Sequence, residues 1–271
     1  MNDPESPEQE QSFLSHLVEL RQRLVRAVVA ILVAMVGLFP WSKDIYNLLA
    51  QPMLAALPEG SNMIATGIVT PFLIPLKLTL MVAFVLVLPY VLYQTWAFVA
   101  PGLYKHEKRL AIPIVASSFL MFLAGIAFCY FVVFRLLFPV ILGFAPDSIK
   151  VSPDIEAYFG FALTMFLAFG LTFETPIVLV VMTRLGITSV AKLRAIRPYF
   201  VVGAFIVAAV VTPPDITSQF LLALPLCLLY ELGIAISAVL DRLFPRGSGE
   251  ADEAAAAAPA SASSTSTSTP P

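Results

Sequence analysis

Three carboxylates stand where their chemistry calls for a partner. Glu107 lies in Lys105-His106-Glu107-Lys108-Arg109, one acid among four residues that carry or can carry positive charge. Glu19 lies in Ser15-His16-Leu17-Val18-Glu19-Leu20-Arg21-Gln22-Arg23, and Glu174 interrupts apolar sequence in Gly170-Leu171-Thr172-Phe173-Glu174-Thr175-Pro176. Acids so placed can bind a cation, most selectively a guanidinium, whose planar fork meets a carboxylate with two bonds. Catalysis has less to work with. His16 and His106 are the only histidines, and neither a zinc-protease spacing nor a Gly-rich phosphate loop is present. These residues point to binding, not to an enzyme, and to no metal or organic cofactor.

Each acid also has a plainer reading. Glu19 and Arg23 are four apart in the favourable order, which alone makes a helix-surface pair of about 0.3–0.5 kcal/mol. Glu107 could pair with Arg109 or complement a helix N-terminus, and Trp96 and Phe98 could be interface packing. Against these stands the possibility that Glu19 and Glu107 together form an acidic notch. Glu174, inside an apolar helix, costs at least ~2.5 kcal/mol if ionised. It should therefore face a cavity, pair with a polar neighbour such as Gln94, or be protonated. Glu231 raises the same question nearer a helix end.

The elements that must position these groups are membrane helices. The 271 residues are 59% hydrophobic and 13% charged, where about 25% charged is usual for a soluble domain, and about 20 apolar residues suffice to cross a bilayer. An all-α polytopic membrane protein is the expected fold class. Cys129 and Cys227 lie inside apolar runs and read as small buried hydrophobes. The acidic, polar lead, residues 1–12, lacks the basic region of a signal peptide and the Arg-rich bias of an organelle transit peptide. That favours a bacterial inner membrane.

Along the chain, an amphipathic helix start with Ser12 as a candidate cap leads into the first span, about 24–40, closed by Pro40 and Trp41. A short amphipathic piece interrupted by Pro52 should rest on the outer surface. Thr70-Pro71 opens the second span, about 71–100, and the third covers about 110–134, ending at Arg135. An outer loop from Leu136 to Ala157 carries the turn and cap signals Ser152-Pro153-Asp154. The fourth span, about 158–182, puts Glu174 about 15 Å from its inner end and about 24 Å from its outer end. After an inner loop, Arg184 to Pro198, come a short fifth span, about 199–212, and a sixth, about 216–240, around Thr212-Pro213-Pro214-Asp215. The last two form a hairpin in locally thinned lipid or re-enter without crossing. The membrane domain is thus 13–245, and the tail, 246–271, has a composition that cannot build a core and should be disordered.

Lys43, Lys77, Arg135 and Lys150 fall on or toward the outer side; the other twelve of the sixteen Lys and Arg fall inside. That bias places both termini in the cytoplasm.

At these residues the chain resembles the TatC family, the membrane receptor of the twin-arginine protein translocase. The resemblance runs from about Phe13 to Leu240. It is carried by His16 to Arg23, by Tyr93-Gln94-Thr95-Trp96-Ala97-Phe98-Val99-Ala100-Pro101-Gly102-Leu103-Tyr104-Lys105-His106-Glu107, by Ala168 to Pro176, and by Arg197 through Leu222, which includes Asp215 and Gln219. What it implies is a six-helix, glove-like concave bundle that binds signal peptides carrying two consecutive arginines. The resemblance gives Glu107 and Glu19 to arginine recognition, with Leu20, Arg21, Phe98 and Tyr104 beside them. Pro52, Asp215 and Gln219 are further functional candidates, and Glu174 and Gln94 are the intramembrane polar pair.

The partners so implied are single-span TatA and TatB proteins, folded cargo, membrane lipid and further copies of the chain, with no nucleic acid. Transport is driven by the proton-motive force. A secondary transporter or channel for a small solute is the alternative, and a membrane scaffold a further one, although the polar residues cluster at the inner surface and no inverted repeat is evident.

Overall fold

A chain this apolar can shield its backbone from hydrocarbon only by bonding each peptide group within its own segment, so helices are required. The computed structural model describes residues 7–58, 61–99, 108–144, 146, 151–212 and 216–243. Their regular structure is helical: α1 (Pro7–Leu38), a 3-10 turn (Phe39–Trp41), α2 (Ser42–Leu54), α3 (Thr70–Val99), α4 (Lys108–Phe128), a π-helical turn (Cys129–Val133), α5 (Phe134–Gly143), α6 (Ile155–Phe173), α7 (Thr175–Arg184), α8 (Val190–Val211) and α9 (Ile216–Leu243). Together they provide six segments long and apolar enough to cross a membrane.

Several bounds differ from the sequence expectation. α1 begins at Pro7, so Ser12 lies inside the helix and not at its start. α2 continues through Pro52, and the third span continues past Arg135 and Pro139 to Gly143, where a loop was expected from Leu136. α8 begins at Val190, with the Ser189 hydroxyl accepting the Lys192 N–H at 3.2 Å, so the expected inner loop up to Pro198 is largely helix. The fifth and sixth spans are therefore 22 and 28 residues long and not short; only the uncharged part of α8, Tyr199 to Val211, keeps that character. A proline inside a helix removes one N–H and strands one carbonyl four residues earlier. A neighbour can serve that carbonyl. At Pro52 the stranded carbonyl belongs to Leu48, and the Tyr130 hydroxyl donates to it at 2.7 Å.

The core is aromatic. Phe134, Phe138, Phe159, Phe166 and Phe169 are all buried in one cluster with Leu78 and Met165. α4 and α6 touch backbone to backbone, because a Cβ on Gly125 would come within 2.4 Å of the Phe169 carbonyl oxygen, and one on Gly170 within 2.5 Å of the Phe122 ring. Small residues are what permit such crossings in a membrane. α2 is bound to this core by Ala50 and Met53, both buried, and by a second hydroxyl, that of Tyr158, on the Leu49 carbonyl at 2.8 Å. By contrast, Ala27 is the one buried residue among the described side chains of α1.

At the α2 end of the bundle Asp154 closes the structure. It caps α6 as its position before the helix implied, accepting from the Glu156 and Ala157 N–H groups at 2.8 and 3.1 Å. Its other oxygen accepts from the hydroxyl and N–H of Thr66 at 2.6 and 3.1 Å. The Thr66 hydroxyl first, then the backbone donors, hold this carboxyl below the usual aspartate range. Ile64 and Asp154 pair there as a lone parallel bridge.

Candidate functional site

The first site is built on α1 and α3. Arg23 donates from Nε and Nη2 to one oxygen of Glu19, at 3.0 and 2.6 Å, and from Nη1 to the Gln94 side-chain oxygen at 2.7 Å. Gln94 in turn donates to the Tyr90 hydroxyl at 2.8 Å. Glu19, Arg23, Gln94 and Tyr90 thus form one polar chain across two helices. The expected 19–23 helix pair is present, and it is more than a surface pair, because its cation is anchored to the neighbouring helix. Gln94, expected near Glu174, bonds to Arg23 and Tyr90 instead; its amide is buried where a guanidinium can reach it.

The helices are antiparallel. The turn after α1 also packs on α3, and only five residues of α3 follow Gln94. Glu19, one turn before Arg23, and Phe98, one turn after Gln94, therefore lie toward the same end of the pair. Leu20 is 41% exposed there, Arg21 is exposed and Phe98 half-buried. Glu107, Tyr104 and Asp215 lie outside the described residues. The structure brings Glu19, Arg23 and Gln94 together and puts Leu20, Arg21 and Phe98 near the same end. Sequence reasoning missed Arg23 as the hub; its tie to Gln94 spans 71 positions, and no periodicity signals it.

The second site surrounds Glu174, which is 8% exposed. The fourth span breaks at this residue, which ends α6 and starts α7. Pro176 explains the break: it cannot donate to the Thr172 carbonyl, and the Glu174 N–H turns back to Leu171 at 3.1 Å. The Ser118 hydroxyl lies near the Glu174 carboxyl and accepts from Trp96 Nε1–H at 3.1 Å. Oxygen Oε1 of Glu174 is buried without a hydrogen-bond partner among the described residues. Of the expected settings for this acid, pairing with Gln94 is not found; Ser118, not singled out beforehand, is the polar group near it.

The remaining candidates join helices. Gln219 donates to the Phe205 carbonyl at 3.2 Å, linking α9 to α8. Glu231 is satisfied by an ion pair with Arg197, also between α9 and α8, beside the stacked rings of Phe200 and Tyr230, 3.8 Å apart. Pro52 sits in α2 above Tyr130. Among the described residues no three His, Cys, Asp or Glu side chains converge as a metal would need.

Comparison with known proteins covers nearly all of this architecture. The family model described as "Sec-independent protein translocase protein (TatC)" matches residues 15–225. The Sec-independent protein translocase protein TatC of Azotobacter chroococcum is 49% identical over 231 residues, spanning 85% of this chain and 91% of that protein. Its counterpart from Escherichia coli K12 is 47% identical over 232 residues, spanning 86% and 90%. A crystal structure titled as the twin arginine translocase receptor TatC superposes with a TM-score of 0.73 at 38% identity, covering 83% of this chain and 98% of that one.

Proposed function

From the premise that the chain belongs to the TatC family of Sec-independent protein translocase proteins, we propose that it is the receptor subunit that binds twin-arginine signal peptides. In this reading the peptide's arginines meet Glu19 and Glu107. Leu20, Arg21, Phe98 and Tyr104 line the site. TatA- and TatB-type single-span proteins and further copies of the chain complete a translocase that exports folded cargo on the proton-motive force. The charge bias of the loops supports a multi-pass protein of a bacterial cytoplasmic membrane with both termini inside. We read it as a transport receptor, not an enzyme. The family match tells against a solute transporter or channel.

The observation that carries the reading is the Glu19–Arg23 pair. The Glu19 carboxylate already accepts two guanidinium bonds on one oxygen, so its setting suits an arginine. Lysine offers a point charge and no fork. With a charged hydrogen bond contributing about 1.5–3 kcal/mol, exchange of a peptide arginine for lysine weakens binding roughly 10–100-fold, less where solvent screens the site.

The test is crosslinking from positions 98 and 107 to twin-arginine and twin-lysine peptides. Strong adducts with the first and weak ones with the second are expected. Unchanged twin-arginine crosslinking in Glu107→Lys would sink the assignment.

A further inference from the structure

Between α2 and the third span runs a groove of about 600 Å3. One wall is Gln51 of α2 with Ala55 and Ala56 just beyond its end, two alanines whose small side chains leave the space open. The other wall carries Tyr130, Phe131 and Arg135. That second wall exists because of the π-helical turn. The Phe134 N–H bonds to the Cys129 carbonyl, five residues earlier, so Tyr130 and Arg135 fall on one side; in an unbroken α-helix they would stand about 140° apart. The Tyr130 hydroxyl is spent on the Leu48 carbonyl.

Arg135 is exposed, and among the described residues no carboxylate forms an ion pair with it. The groove opens onto an apolar face, with Phe131 67% and Leu136 54% exposed, inside a segment apolar enough to span a membrane. A single cation at the head of an apolar furrow matches a ligand with an anionic head and a hydrocarbon tail.

We propose that this groove is a binding site for an anionic phospholipid. The phosphate seats against the Arg135 guanidinium and an acyl chain lies along Phe131. Phosphate suits the guanidinium fork, and the tail covers surface that would otherwise meet bulk lipid in no fixed arrangement. The proposal rests on the membrane-spanning fold and is independent of signal-peptide recognition.

Native mass spectrometry of the full chain in detergent, titrated with dioleoylphosphatidylglycerol or dioleoylphosphatidylcholine, tests it. The parent should retain phosphatidylglycerol in preference to phosphatidylcholine. Arg135→Gln should lower that retention about fivefold, the factor that corresponds to about 1 kcal/mol per basic residue at an anionic surface, and Arg135→Lys should lose less. Ala55→Phe, which fills the groove and leaves the charge, should also displace the lipid. Unfolding midpoints of the variants that match the parent's keep the comparison fair, since both positions are exposed. Equal retention of both lipids, or unchanged phosphatidylglycerol in Arg135→Gln, would overturn the site. Unchanged retention in Ala55→Phe would reduce Arg135 to a general surface charge, which also overturns it. Loss of a co-purifying acidic protein from Arg135→Gln, with lipid retention intact, would assign the groove to a protein and overturn it likewise.

Discussion

Tyr130 completes the hydrogen bonding that Pro52 leaves open: its hydroxyl donates at 2.7 Å to the Leu48 carbonyl, four residues before the proline. The proline and the tyrosine lie on different spans and act as one joint. Tyr130→Phe should therefore destabilise the protein by about 1–3 kcal/mol, the cost of a carbonyl left unpaired. In a Pro52→Ala background alanine supplies the missing N–H, and the same change should cost clearly less. Thermal unfolding in detergent of the two singles and the double measures the coupling, and strict additivity would show that the two residues are independent.

Ser118 takes a hydrogen bond from Trp96 and lies near Glu174. Ser118→Ala should strand the buried Trp96 N–H and cost about 1–3 kcal/mol, with a shift in tryptophan emission because Trp96 loses its polar partner. Ser118→Thr, which keeps a hydroxyl, should restore most of both. Emission identical in all three proteins would show that the contact is not maintained.

Arg23 occupies Glu19 in the peptide-free chain, so a signal peptide must compete with it if the receptor reading holds. Replacing it by glutamine should tighten twin-arginine peptide binding at least about twofold, the equivalent of the roughly 0.3–0.5 kcal/mol that even an exposed helix pair contributes. Fluorescence polarisation of a labelled peptide reads this directly. Weaker binding would instead mean that Arg23 positions Glu19 for the peptide.

Asp154 gives the α2 end a pH dependence whose sign follows from its depressed pKa. A carboxyl held lower in the folded than in the unfolded chain contributes stability above the unfolded value, about 3.9. It loses that contribution as pH falls through the folded value. The parent's unfolding midpoint should decline more steeply below about pH 4 than that of Asp154→Asn, whose side chain can still cap α6 but does not titrate. Parallel curves would remove Asp154 from the account.

Much of this architecture can be read in the amino-acid order, because hydrophobic blocks and caps are local signals. Thr70-Pro71 opens α3 and Asp154 caps α6, as their positions imply. The failures share one cause. Pro52, Pro139 and Pro198 read as breaks, yet helix continues through each; at Pro52 the deciding partner, Tyr130, is 78 residues beyond the proline, where no local pattern reports it. The same holds at the candidate site. The spacing of Glu19 and Arg23 is visible, whereas the burial of Gln94 beside Arg23, and of Ser118 beside Glu174, depends on which helix faces which. Among close polar candidates, sequence could name the acids but not choose their partners.

The position of α1 outside the aromatic core has a consequence for biogenesis. The main cluster of buried hydrophobic residues draws nothing from α1, which packs along α3 with Ala27 buried and Arg23 bonded to Gln94. The later spans close their aromatic centre without it. α1, which leaves the ribosome ahead of α3, can therefore wait in lipid until the helix it packs on follows.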